Sequence, residues 1–420
     1  MAETYDLIVV GGGVTGLCTA YYAALKGASV AVVERTGPGR DCASASAGWL
    51  VPSYCTPLTS PHNLKRGLAS FINRDSAVRM SLRPDPRFGA WLGRFLVKSL
   101  QGSWVRQAED ILARLHRESF QLHGELARQA GDAYQYRTEG ILFPYLAKAA
   151  WRGGRRDARH LARHGIETTA LDCAQIRRQE PALGSRVVGG VHYPGDAWLE
   201  PQAFMAWLAR EARSLGVKIH YHCEVFGFSR RGGGVRALDT TGGRLAAGQV
   251  VLATGAWLPR LSGLLGRRLP LEAAKGYSVT YQPAGAVPRL PLDFEERGGV
   301  MAPYADRVRL IFGLEFRGLD MGFDGRRLAQ LPGLASTYLP ATDWGQPVEI
   351  RQGLRPVSAD GLPVVGRLAQ GGNVFVAGGH DQKGLSLGPV SGYRLARLLA
   401  GEAPDELDRQ LSPGRFFRTG

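Results

Sequence analysis

The sequence predicts an α/β fold on three observations. A strand, a glycine turn, a helix and a second strand open the chain; residues 249–255 read as a buried strand in its middle; and "NVFVAGGH" repeats strand and turn near its end. Pieces so alike and so far apart belong to one layer, so the first domain is discontinuous and Rossmann-like. The intervening stretches supply a second, α+β domain built on a mostly antiparallel sheet. The expected division is residues 1–88, 196–262 and 345–420 for the first domain, with 89–195 and 263–344 for the second. A chain of 420 residues has ample length for both cores.

"YDLIVV" is a short apolar run, hence a strand buried on both faces. "GGGVTGLCTAYYAALKG" then turns on glycine into a helix closed by Gly27, and "SVAVVER" returns as a second buried strand. From Leu92 to Gly165 the pattern is helical and arginine-rich. "EPQAFMAWLAREARSLG" is a further helix, with Pro201 near its start, Phe204, Trp207, Leu208, Ala212 and Leu215 on one stripe, and Gly216 at its end. In "VKIHYHCEV" the alternation of Val217, Ile219, Tyr221, Cys223 and Val225 predicts a strand. A hairpin turning at Gly242 and Gly243 follows and delivers "QVVLATG"; the last helix is the glycine-interrupted "GPVSGYRLARLLAG".

Composition narrows the function. Fifty-two Lys and Arg against 37 Asp and Glu give a net charge of +15, which raises nucleic acid or an anionic membrane as partners. Arg155, Arg159 and Arg163 share a helical face, yet only Trp151 interleaves with them, so the patch reads as a solvated face and nucleic acid is not favoured. Five scattered cysteines without a C-x-x-C pair suit a reducing compartment. No apolar run reaches the 18 or so residues of a spanning helix, and the first residues lack the basic flank of a secretory signal. The expected location is the cytoplasm, with peripheral attachment to the inner face of the cell membrane left open. His220, His222 and Glu224 share one face of the predicted strand, its polar side, so no metal is expected.

Gly11, Gly13 and Gly16 form G-x-G-x-x-G between strand and helix. The first permits the tight turn, the second a close approach to pyrophosphate, and the third the packing of helix on strand. Amides at the helix start favour phosphate. Glu34, 18 positions after Gly16, ends the second strand where a carboxylate accepts ribose hydroxyls. This context makes a bound dinucleotide the expected ligand. "VVLATGAW" and "VFVAGGHDQKGLSLGP" place glycines at two more strand ends, as an extended FAD contacted from three stretches requires.

Together with "ASASAGWLVPSY", "EPAL", "GDAWLEPQAFMAWLAREARSLGVKI", "AAKGYSVTY" and "GLRPVSADGLPVVG", these residues resemble the flavin-dependent D-amino-acid oxidoreductase family over nearly the whole chain, in particular its D-amino-acid dehydrogenase and glycine oxidase branches. The resemblance implies non-covalent FAD held by Gly11, Gly13, Val14, Thr15, Gly16, Glu34 and Arg35. It sets Cys42, Ala43, Ala47, Gly48 and Trp49 beside the flavin, Val225 at the adenine and Gly255 at a strand end. The loop of His380, Asp381, Gln382, Lys383, Gly384, Leu385 and Ser386 would wrap the pyrimidine edge of the ring. Arg355 stands where the family's G-[LF]-R-P arginine grips the substrate carboxylate, and its planar fork suits that task.

Tyr277 is the second substrate-positioning candidate and Gln382 the third. Gln382 replaces an arginine of glycine oxidases, and with "KGYS" it points to the dehydrogenase branch. The implied activity is oxidative deamination of a D-amino acid, or of a cyclic or secondary amino acid such as proline or hydroxyproline. Hydride passes from the α carbon to flavin N5, giving an imino acid and then a 2-oxo acid, with quinone or dioxygen as electron acceptor. The alternatives are a glycine or sarcosine oxidase using dioxygen and, in another class, a tRNA-modifying flavoprotein.

Overall fold

The computed structural model describes residues 4–40, 42–69, 77–81, 83–369 and 371–417. Parallel strands Thr4–Val10, Val30–Val33 and Lys218–His220 lie side by side, and the far end of Gly243–Leu252 joins Thr4–Val10 to Val374–Gly378, also in parallel. Continuous apolar runs suit these strands because both faces are covered. Leu7, Val9, Val30 and Val32 pack into one core, while Ile8, Val10, Ala31 and Val33 pack into another. Helix Val14–Leu25 lies on the first face beside Gly384–Leu399. Gly392 lets the two touch, for a Cβ there would sit 2.6 Å from the Cys18 backbone. The hairpin Val225–Arg231, Gly234–Thr240 extends the layer to eight strands with Gly243–Leu252 and Val364–Arg367.

The second sheet has nine strands and is mostly antiparallel. Its order is Pro347–Ser358, Leu271–Tyr281, Val308–Phe316, Gly299–Pro303, Leu292–Phe294, Ile141–Tyr145, Gly189–Tyr193 and Thr169–Asp172, with Val78–Met80 added in parallel to Val308–Phe316. Pro347–Ser358 and Val78–Met80 therefore hydrogen-bond into this sheet, although both fall in segments expected for the dinucleotide layer. The chain crosses between layers directly after the first of these. Val357 bridges His380, and the Asp381 amide donates to the Pro356 carbonyl at 3.1 Å.

Two local expectations need correction. Ile141–Tyr145 is a strand inside the stretch read as helical; its five buried residues, with Pro144 among them, fill a slot between Leu292–Phe294 and Gly189–Tyr193, and neighbouring strands override the helical surroundings. "VKIHYHCEV" is not one strand. It breaks after His220, His222 adopts φ +55, and the two halves run at opposite edges of the first sheet, so His220, His222 and Glu224 share no strand face. No helix among the described residues is long and apolar enough to cross a membrane.

Candidate functional site

A cavity of about 1130 Å³ opens between the sheets. It exceeds the roughly 300–1,000 Å³ of common small-ligand pockets and suits an extended molecule with room to spare. At one end lies the glycine turn. Gly11 has φ +109, and a Cβ on it would meet the Ala253 carbonyl oxygen at 2.5 Å; a Cβ on Gly16 would meet the Gly11 oxygen at 1.9 Å. Only hydrogen fits at either place. The helix beginning at Val14 has Gly13 as its N-cap with no side-chain cap, so the first-turn amides are left for a ligand, and Val14 and Thr15 line the cavity. Glu34 accepts from the Gly12 amide at 2.8 Å and from the Thr36 amide and hydroxyl at 2.8 and 2.7 Å. Three of a carboxylate's roughly four acceptor positions are thereby filled, leaving one for a ribose hydroxyl. Beside it the Arg35 guanidinium stacks 3.9 Å from the Trp257 ring.

Cys42, Ala43, Ala47 and Trp49 line the wall, as do Val225, Gly255, His380, Asp381, Gln382, Gly384 and Leu385. Four expected contacts stand behind the wall instead. Gly16 packs under the turn. Gly48 packs on the Leu199 carbonyl, where a Cβ would clash at 1.8 Å. Lys383 is buried away from the cavity lining. The Ser386 hydroxyl accepts from the Val51 amide at 3.2 Å and meets His116 Nδ1 at 3.1 Å. The Ser119 hydroxyl and the His123 ring reach the Ser386 and Leu385 carbonyls at 2.5 and 3.2 Å. The long helix Gly102–Ala130 thus fixes the start of Gly384–Leu399, whose uncapped first turn faces the cavity through Gly384 and Leu385.

At the other end, Arg355 projects from the second sheet. Its Nη1 donates to the Gly313 carbonyl at 2.7 Å, and its guanidinium lies over Gly276, where a Cβ would stand 2.2 Å from Nη1. The glycine of "KGYS" is therefore the space that this guanidinium occupies. Burial pulls its pKa below that of an ordinary arginine, and no carboxylate among the described residues forms a salt bridge with it. Tyr277 lines the same end, but its hydroxyl donates to buried Glu315 at 3.3 Å, and burial, then Glu315, push its pKa up to about 12. Tyr277→Phe is accordingly expected to cost about 1 kcal/mol of stability, seen in the denaturation midpoint, while changing KM less than threefold.

The donor set fits a dinucleotide with a ring reaching toward Arg355: helix-start amides for phosphates, a carboxylate for ribose and a glycine-lined wall. The model of the FAD dependent oxidoreductase family matches residues 6–398. This chain belongs to that family. The oxidoreductase is 31% identical to the D-amino acid dehydrogenase of Methylobacterium radiotolerans, over 98% of this chain and 99% of that one. It is also 31% identical to D-amino acid dehydrogenase 2 of Mesorhizobium japonicum, over 96% and 98%. Among solved structures it is similar to glycine oxidase from Geobacillus kaustophilus, with TM-score 0.78 and 24% identity over all of both chains. A likeness of fold also extends to L-proline dehydrogenase from P. horikoshii, with TM-score 0.72 and 19% identity over 99% and 98%.

Other residues of the oxidoreductase's site were not singled out in the sequence, although Tyr54 closes the motif "ASASAGWLVPSY". Arg309 is fully buried; its Nη1 holds the Ser44 and Ser46 carbonyls at 3.3 and 3.1 Å and so shapes the loop that carries Ala43 and Ala47. Tyr54 lines the cavity from the loop that follows Trp49. Arg163 has left the predicted basic face to pair with buried Glu109 at 2.8 Å, beside His160 and His164.

Burial sets the charge state in and behind the wall. It depresses the His116 pKa to about 3 and those of His123 and His380 to about 4, with the Lys383 ammonium adding to the effect on His116 and His380. Asp381 is pushed up to about 7 by burial, against the pull of Lys383. The unfolded histidines bind protons near pH 6.5 and the folded ones do not, so their contribution is full above 6.5 and is lost as pH falls toward 4. At pH 5 the loss is about 2 kcal/mol per histidine, from 1.36 kcal/mol per pH unit. Asp381 and Asp196, both raised to about 7 by burial, work in the opposite sense over the same interval, so the urea midpoint should fall moderately from pH 6.5 to 5, and His123→Gln should flatten that slope.

Proposed function

We propose that this oxidoreductase removes hydride from the α carbon of a D-amino acid, yielding an imino acid that hydrolyses to a 2-oxo acid. The observation that carries this reading is Arg355, a desolvated guanidinium that faces the cavity and whose hydrogen-bond partner among the described residues is one carbonyl. A charge so placed calls for an anion, and a carboxylate matches its fork at two points. The relatives named D-amino acid dehydrogenase support the substrate class and its hand.

FAD, when bound, supplies the hydride acceptor. The protein's share is position: Arg355 holds the carboxylate, Gly276 leaves it room, and Ile311 and Val300 form an apolar floor that excludes water. The residues proposed to hold the cofactor are the glycine turn, Glu34, Arg35, the wall from Cys42 to Trp49, Val225, Gly255 and the loop from His380 to Leu385. Gly276→Ala tests the clamp without replacing Arg355. The new methyl displaces the end of a flexible side chain rather than backbone, so the fold should persist while KM for amino acids rises at least tenfold.

The reading is tested by anaerobic bleaching of the flavin with D- and L-amino acids, glycine, sarcosine, proline and hydroxyproline, followed by reoxidation with air or quinone. Fast reduction by D-amino acids alone supports it. Reduction only by glycine or sarcosine would replace it with an oxidase of those compounds, and no reduction by any amine would remove it.

A further inference from the structure

The cavity floor is a row of one sheet face. Ile311 is paired with Val300, and Val300 with Asp293, so the three side chains point the same way across adjacent strands. Ile311 and Val300 line the cavity. Gly313, which holds Arg355, lies two residues along the strand from Ile311. Two strand spacings across and two residues along separate Gly313 from Asp293 by about 12 Å. At the Asp293 end stands Tyr54, whose hydroxyl donates to Asp293 Oδ2. A phenol has one hydrogen, and this one is committed, so the oxygen can only accept from anything in the cavity. Burial and the Asp293 carboxylate hold the phenol protonated, its pKa far above the ordinary tyrosine value. Glu295, two residues beyond Asp293, accepts from Tyr145 at 2.8 Å and adds a second carboxylate behind Tyr54.

We propose that Tyr54, with its hydrogen engaged by Asp293, forms an acceptor-only subsite for the far end of the substrate side chain, and that it selects side chains ending in a hydrogen-bond donor, a primary ammonium before a hydroxyl or amide. Taken along the floor from Gly313, which holds Arg355, to Asp293, which holds Tyr54, about 12 Å less a hydrogen bond of about 3 Å at each end takes a side chain of about three to five atoms. Two carboxylates behind the oxygen favour the cation. The inference rests on the reading of this protein as an amino acid oxidoreductase and deepens it by naming the side-chain class.

D-ornithine and D-norleucine are the test pair, because their side chains have equal length and differ only in ammonium against methyl. In the wild-type holoenzyme, flavin reduction should give D-ornithine a kcat/KM at least tenfold above that of D-norleucine, since a site built to pair with a donor discriminates against its isostere. In Tyr54→Phe, with flavin retained, that ratio should fall toward one, mainly through KM for D-ornithine. Asp293→Asn should lower it as well, because its amide can donate to the phenol oxygen and remove the spare acceptor. A wild-type ratio at or below one, or a ratio that survives both substitutions, overturns the subsite while leaving amino acid oxidation standing. Failure of both compounds, with every other D-amino acid, to reduce the flavin overturns the underlying reading and the subsite with it.

Discussion

Arg355→Ala is expected to raise KM for amino acids about 100- to 4,000-fold with the flavin still bound. Leaving one partner of a desolvated charge pair alone costs roughly 3–5 kcal/mol, and each 1.4 kcal/mol is tenfold. Arg355 touches Gly313 and lies over Gly276, both in the second sheet, so its removal takes away a substrate clamp and no contact of the glycine turn. Arg355→Lys should recover little, because a point charge cannot reproduce a two-pronged match. Steady-state kinetics on variants that keep the flavin absorbance measures the effect. An unchanged KM in a folded, yellow Arg355→Ala enzyme would take this residue out of the substrate site.

Gly16→Ala should have the largest effect on cofactor retention. A methyl at this position would lie 1.9 Å from the Gly11 carbonyl oxygen, and the obstacle is backbone, which has no alternative rotamer. The helix must move off the turn, carrying the first-turn amides of Val14 and Thr15 away from the phosphates they would hold. Overpacking of this kind typically costs about 1–3 kcal/mol of stability, and loss of aligned amides adds to the loss in binding. The expected outcome is protein purified largely without flavin and an apparent FAD dissociation constant raised at least tenfold in fluorescence titration. Full flavin occupancy at unchanged affinity would remove Gly16 from any supporting role.

The glycine turn, Glu34 and the central strands were legible in the sequence because their chemistry is local: a tight turn, an apolar run and a carboxylate at a strand end each leave a mark within a few residues. The discontinuous layer was legible for the same reason, repeated three times. What escaped depends on partners distant in the chain. Ile141–Tyr145 is a strand only because residues 189–193 and 292–294 flank it. The break at His222 answers to the separation of two sheet edges that no nine-residue window contains. Gly48, Lys383 and Ser386 sit in motifs that face the cavity, yet each is turned back to secure the wall against Leu199, the interior or the long helix. Arg309 carries no pattern of its own, and Tyr54, although it closes a quoted motif, shows its role only through a distant partner; Asp293 and the Ser44–Ser46 carbonyls lie more than two hundred residues from them.

The crossing from Pro347–Ser358 to the loop at His380 has a practical consequence. The Val357–His380 bridge, the Asp381 amide on the Pro356 carbonyl and the Ser358 amide on Asp381 Oδ1 at 3.1 Å weld the arm that bears Arg355 to the rim of the other layer. Tailoring for new amines therefore belongs on the opposite bank, at Val300 and Ile311, and not at Arg309 or Tyr304, which secure the loop from Ser44 to Ala47. There, whole side chains can be exchanged while the gap across which the electrons travel keeps its length.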